Sequence, residues 1–492
     1  MSRRLRRISQ SAFFIGLLSL VWLLLRTGTK PSRSAYPCQQ VAMLNGYMWL
    51  HVYLLPWFLP VQRRFSASLN AKKLMVIGLV AVTLGSATYL AYESCSRPGG
   101  EAVDLTLSGR VASSQPASDI FVVKGTWGND GGLAQLLNLM GEHGLLFYKS
   151  PLPGRGKGPT GLFGRNDVVI VKVNSQWDER GGTNTDLLKA LIQALVDHPD
   201  GFTGEVVVAD NGQAQYGSAG AGGSLTWARN NAEDRSQSAQ KVVDSFSGYY
   251  RVSTYLWDRI TAKRVDEYAE GDMEDGYVVN ATANPRTGLM VSYPKFKTSF
   301  GTYVSFKLGV WDPDRRNYDG ERLKVINIPV LKSHSIYGVT ASVKHYMGVV
   351  SDKLTSQLGA SSHQAVGTGG MGTEMAETRF PALNILDAIW VNAAPRGGPG
   401  TPYDKATRLN IIAASTDPAA LDYWAAKHVL LPAARIKGYS GVSSMDPDEA
   451  APGSFGGWLR LSMAEMRQAG YQATVDEANM NVYVTRLQPT RG

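Results

Sequence analysis

Three apolar runs in this sequence end in charged or amide pairs: Lys172 and Asn174 after DVVIVKV, Asp210 and Asn211 after EVVVAD, and Lys332 and His334 after a run that begins at Leu323. Residues at i and i+2 of a strand project from one face. Lys172 with Asn174, and Lys332 with His334, therefore each present two polar groups to one side. In open parallel sheets ligands collect beyond the carboxyl ends of the strands. Lysines there supply positive charge, and a histidine supplies a donor or a proton relay. That is the chemistry of a site for an anionic group. The segment GVTASVKHYMG (338–348) adds Thr340 and Lys344, four residues apart and so on one side of a helix, with His345 adjacent. The competing account is that the lysines are ordinary ion-pair partners and that His345 packs or caps.

Two further segments suit an anion or metal site. Asp387 stands in an apolar stretch read as a helix over 381–391, followed by Arg396-Gly397-Gly398-Pro399-Gly400, whose backbone amides could cradle an oxyanion. Asp417 precedes Pro418 in the pattern of a helix N-cap, and Asp422 follows one turn later in an otherwise apolar context. Capping accounts for Asp417 but not for Asp422. His143, His198, His363 and His428 have no partner at ligand spacing and are read as surface or core residues. His334, His345 and an aspartate have the types of a metal site without a diagnostic spacing. Nucleophile-elbow, zincin and Walker fingerprints are absent.

The elements that must position these groups alternate. Strands are expected at 167–173, 205–210, 323–332 and 408–414, and helices at 184–197, 381–391 and 418–431. This predicts an α/β fold with a mainly parallel sheet covered by helices on both faces. The regularity fails over 211–320, where a Gly-rich run (212–224) and hairpin-like sequence (289–311) suggest an inserted antiparallel β subdomain, a ligand-facing lid or, for the Gly-rich part, a disordered loop. The expected organisation is a membrane region at 1–95, a linker at 96–118 and the α/β domain at 119–492.

The net charge of +9 does not point to nucleic acid. Residues 1–98 hold 12 Lys/Arg against one acid, Glu93, while the rest of the chain holds 38 basic and 40 acidic residues. A basic excess confined to the flanks of apolar segments is a membrane-topology signal. Stretches 8–25, 41–61 and 74–92 approach the length of a spanning helix, about 20 residues, and the first follows a signal-anchor-like arginine cluster. The middle one contains Asn45, His51, Pro56 and Pro60, which leaves an interfacial segment as the alternative to a span. Three spans would leave the large domain outside the cytoplasm, and two would leave it inside. In the three-span arrangement Cys38 and Cys95 lie on the same face and form a disulfide candidate, the alternative being two free thiols. With two cysteines and no Cys-x-x-Cys, the chain has no iron–sulfur or Cys-rich zinc module of its own.

The sequence resembles the bacterial and archaeal "domain of unknown function 362" family. The resemblance lies in Val171-Lys172-Val173-Asn174, Thr183-Asn184-Thr185, Asn327-Ile328-Pro329-Val330-Leu331-Lys332-Ser333-His334, Val343-Lys344-His345 through Gly348, Asp387-Ala388-Ile389 and Ser415-Thr416-Asp417-Pro418-Ala419-Ala420-Leu421-Asp422. It covers about residues 119–440, and Tyr36-Pro37-Cys38-Gln39 is similar to the start of membrane-anchored members. The family's activity is not established. Some relatives carry four-cysteine iron–sulfur modules and are presumed redox-linked, and many have Lys-Asn where this chain has Lys344-His345.

The expectation from all of this is a membrane-anchored, extracytoplasmic α/β domain. It binds an anionic small ligand or cofactor through Lys172, Lys332, His334 and Lys344, with Asn174, Asp210, Asp387 and Asp422 around them. A Lys and His pair would exchange a proton, or serve redox-linked chemistry, if the protein is an enzyme. The alternatives are a non-catalytic envelope sensor, a docking subunit for a redox partner protein, and a metal-binding protein. No cofactor is specified.

Overall fold

The computed structural model describes residues 102–113, 116–212, 223–355 and 362–487. They belong to a compact unit running from Pro98 to Gly492. Among the described residues no helix is long and apolar enough to cross a membrane. The expected transmembrane helices are thus not supported. The stretches 8–25, 41–61 and 74–92, with Cys38 and Cys95, lie outside the described residues.

The centre is a ten-stranded sheet. Its main path runs β18 (Met480–Arg486), β1 (Ser118–Lys124), β17 (Thr407–Ser415), β16 (Leu383–Asn392), β13 (Leu323–Asn327), β5 (Val168–Lys172), β6 (Glu205–Asp210) and β7 (Val252–Leu256). The sheet is mixed, which corrects the expectation of a mainly parallel one. The half from β16 to β7 is parallel, whereas β17 runs antiparallel to both β16 and β1. A second correction falls on 381–391, which is strand β16 and not a helix. Every residue of LNILDAIWVN is buried, and a short apolar run buried on both faces carries no periodicity to separate strand from helix.

Alternation sorts the strand side chains onto two cores. Ile120, Val122, Val168, Ile170, Ile411 and Ala413 enter one, and Phe121, Val123, Val169, Val171, Ile412 and Ala414 enter the other. The second core is closed by helices α1 (Gly132–Glu142), α2 (Thr185–Val196) and α3 (Ala239–Ser247), whose apolar faces it contains. Asn184 starts α2 by accepting from the amides of Asp186 and Leu187. The first core is closed by the later helices and by a five-stranded antiparallel sheet, β8 (Gly276–Val279) to β12 (Asn317–Asp319), which supplies Tyr293, Phe296, Val304 and Phe306. Within 211–320, then, the hairpins form a core layer, and β7 extends the central sheet.

The sequence expected one strand over 323–332. It is divided: β13 ends at Asn327, and β14 (Val330–His334) begins after Pro329. Before the break the chain pairs with β5 and β16 together. After it the chain stays parallel to β16 and pairs with β15 (Gly338–Thr340) instead of β5. Pro329 has no N–H for a ladder, although the Ile328 amide still reaches Lys172 O at 2.9 Å. The sheet therefore splits beyond the end of β5, and the loop 174–183 fills part of the gap: Thr183 Oγ1 donates to Ile328 O at 3.1 Å and accepts from the Asn174 amide at 2.7 Å.

Candidate functional site

The split opens a cleft of about 360 Å³ lined by Lys172, Asn174, Asp210, Lys332, His334 and Lys344. Six of the eight residues read from the sequence as catalytic or ligand-binding thus meet in one cavity. Lys172 and Asp210 end adjacent parallel strands and form a buried ion pair at 2.8 Å. Asp210 also accepts from the Ser175 amide at 2.7 Å and from Ser175 Oγ at 3.0 Å. Burial lowers the Lys172 pKa and the Asp210 charge opposes it. Lys172 is therefore a neutralised wall of the cleft.

Lys332 and Lys344 differ from it. Lys332 is fully buried, donates to Gly181 O at 2.6 Å and lies 5.9 Å from the Trp177 ring centroid. Burial, with Lys344 as a neighbouring like charge, lowers its pKa to about 7. Lys344 makes no hydrogen bond or ion pair through Nζ among the described residues and lies 5.6 Å from the Tyr337 ring centroid. Burial lowers it to about 8, opposed by the charge of Asp352. Thr340, also on the cleft wall, has a buried Oγ1 with no hydrogen-bond partner among the described residues. The expectation of one helix carrying Thr340 and Lys344 is corrected: Thr340 ends β15, and Lys344 sits on the four-residue helix α4 (Ser342–His345).

The two predicted histidines have different tasks. His334 Nδ1 accepts from the amides of Ile336 and Tyr337, both at 3.1 Å. Its proton therefore sits on Nε2, and the ring is a donor, not a relay. Burial and the nearby Lys344 charge hold it neutral, far below the usual imidazole range. His345 faces two acceptors, Asn327 Oδ1 at 2.7 Å from Nδ1 and Val173 O at 3.1 Å from Nε2. The Asn327 amide is fixed by donation to Ser342 O and Asn384 Oδ1. His345 thus ties α4 to β5 and β13, with burial pushing its pKa well down. Among the described residues no group of three His, Cys, Asp or Glu could hold a metal ion.

Asp387 and Asp422 do not line the cleft. Asp387, on β16, accepts from Asn184 N at 2.9 Å, Asn231 Nδ2 at 3.2 Å and Ile389 N at 3.1 Å, and burial raises its pKa to about 6. Asp422, on helix α8 (Pro418–Ala425), accepts from the amides of Ser342 at 2.7 Å and Val343 at 2.8 Å, closing the start of α4. Burial raises it to about 7. Asp417 caps α8 through the amides of Ala419 and Ala420. Two amides of the Gly-rich loop are already engaged within the protein: Gly398 N donates to Ser333 Oγ and Gly397 N to Ala394 O.

Sequence reasoning missed Gln176, Trp177, Asp352 and His363, which also line the cleft. Asp352 starts α5 (Asp352–Thr355), and His363 lies on α6 (Ser362–Val366), with Nδ1 3.2 Å from Asp352 Oδ2. Eleven residues separate the two, a spacing that no helical or strand period relates.

With this geometry in place, the comparison with known proteins is specific in one segment. Residues 322–427 match the model of a family described as Domain of unknown function (DUF362). The matched segment contains β13, β14, α4 and the Asp422 cap, so it supplies Lys332, His334 and Lys344, while Lys172 and Asp210 come from outside it. The chain is also 30% identical over 132 residues to a thylakoid-associated protein of Synechocystis sp. (strain ATCC 27184 / PCC 6803 / Kazusa), a match covering 24% of this chain and 39% of that protein. No solved structure matches significantly.

Proposed function

We propose that this domain binds a small anion of the carboxylate or phosphate class in the cleft between β5 and β14. Lys332 and Lys344 supply the charge, and His334 Nε2–H and Thr340 Oγ1 supply neutral hydrogen bonds. The observation that carries this reading is the charge arrangement. Three lysines and two aspartates line one small cleft, Asp210 is engaged with Lys172, and Thr340 Oγ1 is a buried polar atom without a partner among the described residues. An anion between Lys332 and Lys344 offsets their mutual repulsion and gives each amine a hydrogen-bond acceptor. The cleft volume is that of a small-metabolite site. The name of the thylakoid-associated relative supports a membrane-associated setting for the domain.

The test is a thermal-shift titration of the full chain with phosphate and with malonate at constant ionic strength, against chloride. A ligand that binds only the native state adds RT ln(1 + [L]/Kd), about 2.7 kcal/mol at a hundredfold excess over Kd. Lys344→Met removes most of that gain and leaves the unliganded protein folded, because Lys344 Nζ holds no hydrogen bond among the described residues. Absence of a shift with either anion overturns the reading.

A further inference from the structure

Of the three imidazoles that line the cleft, His334, His345 and His363, two have hydrogen bonds that fix opposite tautomers. His334 receives two backbone amides on Nδ1 and so carries its proton on Nε2. His363 faces the carboxylate of Asp352 through Nδ1 at 3.2 Å, so its neutral ring is protonated at Nδ1 and presents the Nε2 lone pair. Asp352 is itself held: Oδ1 accepts from the Ser362 amide at 3.2 Å and from Ser362 Oγ. The Asp352 side chain is 11% exposed and that of His363 31% exposed. The carboxylate is thus enclosed, while the ring stays open enough to meet a ligand. An imidazole oriented by a carboxylate beside a cluster of donors is the arrangement of a general base facing an anion-stabilising site.

We infer that His363 is the general base of a proton-abstraction site, with Asp352 as its positioning residue, and that the ligand class is a small 2-oxo acid. The inference rests on the anion-binding reading above. A base requires a ligand with a proton to lose. Lys332 and Lys344 hold a carboxylate, His334 Nε2–H holds an adjacent carbonyl oxygen, and the acidic proton of such a molecule is on the carbon next to that carbonyl. In the step, the C3–H bond breaks and its proton passes to His363 Nε2. The C–H electron pair becomes the C2–C3 double bond, and the carbonyl π pair moves to oxygen, where His334 Nε2–H and an ammonium stabilise the enolate. Return of a proton from the imidazolium to C3 restores the acid, so no further reactant is needed.

Proton NMR of pyruvate and 2-oxobutyrate in D2O with the full chain reads this step directly as loss of the C3–H signal above the uncatalysed rate. The expected result is catalysed exchange that falls at least about 100-fold in His363→Ala and is partly restored by added imidazole, with the phosphate-induced thermal shift retained. Asp352→Asn should lower the exchange rate at saturating 2-oxo acid without raising the half-saturating concentration in proportion, and Asp352→Glu should recover part of it. If anions shift the melting temperature but the wild type exchanges no proton, the inference fails while anion binding stands. If exchange survives His363→Ala and borohydride traps the acid on Lys332, the base is a lysine iminium system and the assignment to His363 is overturned. If no anion shifts the protein, the reading beneath both fails.

Discussion

Gly348 lies directly against the amine of Lys172: a Cβ at this glycine would stand 2.6 Å from Lys172 Nζ and 2.2 Å from Asp210 Oδ1. Its carbonyl accepts from the Asn211 amide at 3.1 Å, so the backbone here seals the buried ion pair from one side. Gly348→Ala cannot be accommodated without moving a charge out of its pair. A destabilisation of about 2 kcal/mol or more is expected, at the overpacking end of core substitutions. Urea unfolding monitored by tryptophan fluorescence measures it, and Lys172→Met should cost more, about 3–5 kcal/mol, because among the described residues it leaves buried Asp210 with only Ser175 as donor.

Asp422 holds the start of the helix that carries Lys344. In Asp422→Asn both amides lose the carboxylate, and one of them, that of Ser342 or Val343, is left facing an NH2 donor; the expected loss is about 1–2 kcal/mol. Because α4 loosens, anion affinity should fall as well. The same thermal-shift titration reads both effects, and an affinity unchanged from wild type would separate Asp422 from the site.

The buried acids and amines give the unliganded protein an unusual pH profile. Asp387 and Asp417 are raised by burial to about 6 and Asp422 to about 7. Between the unfolded value, about 4, and those values the native state binds more protons than the unfolded chain, so stability falls as pH rises through this window. Lys332 and Lys344, lowered to about 7 and about 8, act oppositely: their contribution is complete above about pH 10.5 and is lost as pH falls toward 7. These groups together predict a stability minimum near neutrality, read from urea midpoints between pH 5 and 10. Lys332→Met should flatten the alkaline limb and leave the acid limb in place.

Anion affinity should follow the same amines. Binding requires ammonium groups, so the phosphate Kd is expected to rise with pH above about 8 in wild type, and calorimetric titration across pH 6.5 to 9.5 checks it. A Kd that is flat over this range would mean that Lys332 and Lys344 do not contact the anion.

His345→Asn replaces the imidazole between Asn327 and Val173 with a shorter amide. An asparagine amide can serve Asn327 Oδ1 or Val173 O, but not with the span of an imidazole, so a cost of about 1–2 kcal/mol is expected with the anion shift preserved. Loss of anion binding with an intact fold would instead place His345 at the ligand.

Much of the cleft was legible in the chain because strand-end polar residues follow from local pattern. Lys172, Asn174, Asp210, Lys332 and His334 each stand at the end of a β-branched run, and alternation alone says that they leave the core at one edge. The Asp417 cap was equally local, being set by Asp-Pro at a helix start. The sequence by itself therefore determined which side chains gather at the ends of β5, β6 and β14. Tertiary structure decided what those side chains meet. Asp387 reads the same in a buried strand as in a buried helix, because both faces of β16 are covered and no period survives. Asp422 was unexplained in sequence because the amides it closes lie some 80 residues earlier in the chain. The pairing of Lys172 with Asp210, the freedom of Lys344 and the Asp352–His363 contact depend on distances across elements that no spacing encodes, and the charge state of each group depends on burial that only the packed chain provides.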